Sequence, residues 1–70
     1  MSGVKYGIKL KNDSNAYLNN IRCDFGRIVF ANFVPKEHET VMLFSSKDDA
    51  ESLAQRIAKH RKLAVETVLM

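Results

Sequence analysis

Residues 41–70 constrain the fold more than any other part of this chain. An apolar run, Val41-Met42-Leu43-Phe44, meets two serines, Ser45 and Ser46, and a stretch of helical period, and then a second apolar run, Leu63–Leu69. Either serine can accept a hydrogen bond from an unpaired backbone N–H of a first helical turn, and an aspartate lies three residues on from each, close to a capping box. Ala50, Leu53, Ala54, Ile57 and Ala58 follow the i, i+3, i+4, i+7, i+8 rule of a buried helical stripe. The spacing predicts a helix that ends around His60 or Arg61, with no glycine to mark the stop. Three of its five contact residues are alanine, so it should lie close to a sheet. A strand–helix–strand connection within one sheet predicts a last strand parallel to its predecessor through a right-handed crossover.

Upstream, Val4, Tyr6, Ile8 and Leu10 alternate with Lys5, Gly7, Lys9 and Lys11, the period-two pattern of a half-buried strand. The 12–15 cluster, Asn-Asp-Ser-Asn, breaks it with residues that turn the chain through side-chain to backbone hydrogen bonds. Residues 16–22 read as a weaker strand, diluted by Asn19 and Asn20 and expected at an edge. A turn over 23–26 offers Gly26 for a positive φ angle. Residues 27–34, Arg-Ile-Val-Phe-Ala-Asn-Phe-Val, form the strongest β segment, and Pro35 ends it because proline cannot donate to a ladder. A charged loop over 36–39 then leads to a fourth strand over 40–44, which the short connection places in a hairpin with the third. The expectation is an α+β fold of one domain, residues 1–70: two layers, a four- to five-stranded mostly antiparallel sheet with one helix, in the order ββββαβ.

Seventy residues is near the lower limit at which one apolar core suffices. Domains of this size often rely on a disulfide framework, a metal or a partner. Cys23 is the sole cysteine, so no internal disulfide can form, and a lone thiol suits a reducing interior. No apolar run approaches the roughly 20 residues that span a bilayer, and residues 1–5 lack a signal peptide's apolar core. A soluble cytoplasmic protein with no membrane contact is expected. Eleven basic residues against eight acidic ones leave a net charge of +3, which permits an acidic partner without requiring one.

The third and fourth strands carry the main functional clue. Ile28, Phe30 and Val34 fall on one face, and Val29, Ala31 and Phe33 on the other; Thr40, Met42 and Phe44 likewise oppose Val41 and Leu43. Both faces are apolar, yet one helix covers only one. The surplus must close on itself, meet a second copy in a homodimer, or meet a protein partner. Lys5, Lys9, Lys11 and Arg27, with Val29 and Phe33, form the candidate partner-binding set; the same lysines also read as protection of a strand edge. Arg56, Lys59, Arg61 and Lys62 at the helix end form a second candidate, a contact for nucleic acid. Bases there, with Asp48, Asp49 and Glu51 at the helix start, equally oppose the macrodipole by roughly 0.3–1 kcal/mol each.

Catalytic constellations are missing from the pattern. Glu37-His38-Glu39 on an extended segment points to alternating sides, whereas metal ligands must converge at about 2 Å. Cys23 has His38 and His60 as possible partners, but nothing in the sequence brings either beside it. Asp24-Phe25-Gly26 spells the metal-binding tripeptide of protein kinases without any other kinase element. No phosphate-binding loop, dinucleotide fingerprint or nucleophile elbow occurs. Neither the βαββαβ order of an RNA recognition motif nor a helix-turn-helix is met. No enzymatic activity, cofactor, metal or small-molecule substrate is expected.

Several segments, Val4-Lys5-Tyr6-Gly7-Ile8-Lys9, Tyr17-Leu18-Asn19, Ala31-Asn32, and Leu43-Phe44-Ser45-Ser46 followed by Asp49-Ala50 and Ala54, together resemble small proteins encoded in bacteriophage genomes and prophages. Those proteins open on a lysine-flanked strand, turn through Phe-x-Ser/Thr into an alanine-bearing helix, and finish on a valine-rich strand, here Ala64-Val65-Glu66-Thr67-Val68. The resemblance implies an accessory protein of a bacterial cytoplasm, one that binds and modulates or inhibits a host or defence complex. No functional residues carry over from it. The resulting expectation is a non-enzymatic binding protein, with a small basic nucleic-acid-binding accessory protein as the alternative.

Overall fold

The computed structural model describes residues 3–70. Its elements are β1 (Tyr6–Leu10), β2 (Tyr17–Asp24), β3 (Arg27–Val34), α1 (Lys47–Arg61) and β4 (Val65–Leu69), in one sheet of order β3-β2-β1-β4 with every ladder antiparallel. The α+β class and the two layers follow: α1 packs across β1, β3 and β4. Ser46, in extended conformation, caps α1 by accepting the Asp49 N–H at 3.4 Å. Lys62 closes the helix in the left-handed region at φ 56°, where a glycine would be the usual choice.

Ile8, Leu18, Ile28, Ala50, Ala54, Ile57 and Val65 form the buried centre, with Tyr6, Leu10, Leu53 and Ala58 packed around it. The helical stripe and the apolar side of β1 therefore meet as their periods require. Burial of the large aliphatic side chains stabilises the fold by about 1.5–3 kcal/mol each.

Three features differ from the sequence expectation. Residues 40–44 do not make a fourth strand or a hairpin with β3. Only Phe44 bridges, antiparallel to Tyr6, through paired backbone bonds of 2.8 Å, while the Met42 N–H donates to Leu18 O at 2.9 Å. This segment is a splint driven between β1 and β2, whose direct pairing is confined to the Lys9–Tyr17 register. Phe44 and β4 both oppose β1, so they point the same way, but β1 lies between them and no parallel ladder forms. The order is thus βββαβ with four strands. Second, β2 is internal rather than at an edge. Its asparagines serve the connection: Asn19 accepts from Asn32 at 2.9 Å and donates to the Thr40 carbonyl at 2.7 Å and to the Thr40 hydroxyl. Third, two bulges break the strict alternation. Asn19 and Val29 are the extra residues, and the second bulge turns Ile28 to the same side as Ala31 and Phe33, toward the helix.

The side of the sheet away from α1 is partly closed by the chain itself. Tyr17, the neighbour of Lys9 and Val34, is buried there. The Met70 side chain lies over Gly7, where an added Cβ would meet its sulfur at 2.8 Å. Lys9 and Glu66, paired across β1 and β4, join at 2.9 Å. Leu43 and Phe30 remain half-exposed.

Candidate functional site

The β2–β3 hairpin turns in two residues, Phe25 and Gly26, between the Asp24–Arg27 pair. Both take positive φ, 51° and 76°, as a primed type I turn demands to match the strands' right-handed twist. Glycine adopts this without penalty, whereas phenylalanine loses roughly 1–2 kcal/mol in the left-handed region. The Phe25 residue recovers nothing by packing, since it is 96% exposed. An aromatic side chain held at a strained, fully solvated tip is the least economical use of a residue in this fold.

The tip is pinned to the C-terminal half of α1. The Ile28 N–H donates to His60 Nδ1 at 3.0 Å, and Arg56 Nη2 donates to Gly26 O at 3.5 Å. Desolvation, reinforced by Arg27, Arg56 and Lys59 around the ring, lowers the His60 pKa below the ordinary histidine value. The charges of Arg27, Arg56 and Lys59 thus act on an imidazole whose Nδ1 already accepts the Ile28 N–H. Arg61 and Lys62 follow at the helix end, and Arg22 stands opposite half-exposed Phe30 on the hairpin. Among the described residues, the ion pairs within 4 Å join Lys9 to Glu66 and Lys47 to Glu51, and none involves these hairpin-end cations; Asp24 is the acid placed across from Arg27.

The sequence candidates fall in different parts of the fold. Arg27, Val29, Arg56 and Lys59 fall at the hairpin end, with Arg61 and Lys62 just beyond. Lys5 and Lys9 belong to the other part of the sheet, and the Lys9 ammonium is held by Glu66 and by the Leu10 carbonyl. Lys11 lines an open groove of about 500 Å³ between α1 and β4, with Glu51, Gln55 and Thr67. Phe33, expected on the uncovered face, packs against the core instead, because β3 turns its Ala31–Phe33 side to the helix and the Val29 bulge brings Ile28 to join them. It leaves the candidate surface.

Phe25 is the residue that sequence reasoning missed. The turn over 23–26 and the positive φ at Gly26 are legible in the sequence, but the two-residue loop that puts Phe25 at its tip depends on the strand register. Elsewhere, His38 is engaged by Thr40, with its Nδ1 2.7 Å from the hydroxyl. Among the described residues no group of histidine, cysteine and acidic side chains could hold a metal ion, and no helix is long and apolar enough to cross a membrane. Cys23 is free and exposed beside the tip. No family model, curated protein or solved structure matches the chain.

Proposed function

We propose that this chain is a non-enzymatic binding protein that works by occupying an acidic surface of another macromolecule, and that the hairpin end makes the contact. One observation carries the reading: the exposed Phe25 side chain stands at a turn followed by Arg27 and reached from α1 by Arg56, which donates to the Gly26 carbonyl. Exposed aromatics and arginines dominate binding energy where they become desolvated. A side chain that contributes nothing to folding, at a backbone cost, is accounted for by a partner. The likeness to phage-encoded accessory proteins supports the same kind of role, that of a cytoplasmic factor binding and modulating a host or defence macromolecule.

Immobilised wild-type protein and the Phe25→Ala and Arg56→Gln variants, exposed to bacterial lysate, test this. The wild type should retain a partner that both folded variants release. Equal retention by all three would remove the hairpin end from the contact. Sedimentation of the purified chain identifies the case in which the partner is a second copy.

A further inference from the structure

We infer that the ligand of the hairpin end is single-stranded nucleic acid, with one base stacked on Phe25 and the adjoining phosphates held by Arg27, Arg56 and Lys59. The inference rests on the reading of the hairpin end as the contact surface and goes on to name its occupant. A protein partner would call for a different tip. Hot spots between proteins are clusters of apolar side chains ringed by polar ones, which together exclude water. Phe25 has instead Asp24 before it, Gly26 and Arg27 after it, and Arg56 reaching the turn carbonyl from the helix. A fully exposed aromatic residue at a turn flanked by Arg27 and reached by Arg56 suits a ligand whose units each pair a flat face with a negative charge. Duplexes present no free base face to such a tip, whereas an unpaired strand does. Phenylalanine carries no hydrogen-bonding group, so the contact should tolerate any base.

His60 provides an internal reporter. The charged groups facing it are Arg27 from β3 and Arg56 and Lys59 from its own helix. Their repulsion disfavours the imidazolium, and a phosphate among them would offset it. The His60 pKa should therefore rise on binding.

The test is fluorescence anisotropy with labelled oligothymidylate and oligouridylate, a duplex of equal length, and labelled polyglutamate as an acidic polypeptide. The measurements are made at about 50 and 200 mM salt, with proton NMR of His60 alongside. Single strands should bind best and weaken roughly tenfold or more across that salt range, the slope expected for about three phosphate contacts. Phe25→Ala and Phe25→Leu should each weaken binding roughly fivefold or more, since leucine fills an apolar pocket but stacks poorly on a base. Arg56→Gln should weaken single strands of every sequence alike. Absence of single-strand binding at the lower salt overturns the inference, as does tighter binding of polyglutamate or full retention by Phe25→Leu. In the last two cases the hairpin end stands as a protein contact. Binding of single strands that neither Phe25→Ala nor Arg56→Gln reduces, with the His60 pKa unmoved, would instead reject the hairpin end itself.

Discussion

Phe25 and His60 show how single residues at this end of the molecule trade folding for another use. Asn-Gly is the favoured pair in a primed type I turn, because asparagine tolerates the left-handed region. Phe25→Asn should therefore stabilise the domain by about 1 kcal/mol while abolishing capture of a ligand. Thermal or urea melts check the first effect; a fall in stability would mean that the ring supports the fold. At His60 the sign follows from the depressed pKa. The unfolded chain takes up a proton near pH 6.5, while the folded state resists it to lower pH. The contribution of His60 is thus full above pH 6.5 and is lost as pH falls through the folded-state pKa. Protonation at Nδ1 also removes the acceptor for the Ile28 N–H. His60→Asn, which offers an oxygen acceptor that does not titrate, should flatten stability between pH 7 and 5, as denaturant midpoints across that range would reveal. Neither device could be read from the sequence. Nothing within it places His60 beside a strand 32 residues earlier, and the strain at Phe25 exists only once the two-residue turn is formed.

Among the elements, those with a local cause were legible and those with a long-range cause were not. Alternation of apolar residues placed β1, a continuous apolar run of strand-forming residues placed β3, and the serine cap with its downstream stripe placed α1 to within a residue or two. Pro35 stopped β3 at Val34 as its missing donor requires. Residues 40–44 have the composition of a strand, but their neighbours decide what they become. β1 and β2 share a single register pair, and the gap that opens beyond it is filled by Met42 and Phe44. This splint can be tested with proline at adjacent positions. Phe44→Pro removes the N–H donated to Tyr6 O and the ring packed against the core, and should cost about 3 kcal/mol or more. Leu43→Pro, at a half-exposed residue outside the named strands, should cost far less. Equal losses in urea unfolding would show that neither the Phe44 N–H bond nor its ring holds the segment in place. Bulges escaped for a related reason. Asn19 and Val29 look like ordinary alternating positions, and only pairing with a particular neighbour makes either one the surplus residue.

At the scale of the whole molecule, charge is segregated in a way that a net value of +3 conceals. Asp48 and Asp49 lie in the first turn of α1, whereas Lys59, His60 and Arg61 occupy its last, beside the hairpin carrying Arg22 and Arg27. Folding the hairpin tip onto that helix end converts two modest sequence runs into one basic surface, with Asp24 as its acid. The basic residues at the helix end were visible in the sequence, but their union with Arg27 and Phe25 depends on the tertiary contact between Gly26 and Arg56. The expectation of surplus apolar area fares differently. The chain fills much of the second face with Tyr17, with Met70 over Gly7 and with the Lys9–Glu66 pair, while Val4, Val29, Phe30, Leu43 and Leu69 stay exposed in different parts of the chain. Electrostatics should accordingly govern association more than apolar area does. If so, the logarithm of the binding constant for a single strand should fall linearly with the logarithm of salt concentration, at about 0.7 per phosphate engaged. Replacing Arg27, Arg56 or Lys59 by glutamine should remove about one such increment each, whereas Lys5→Gln, at the far part of the sheet, should leave the slope unchanged. Leu43→Ser separates the two driving forces: binding driven by charge ignores it, while binding through the apolar remnant of the second face is lost with the salt slope intact.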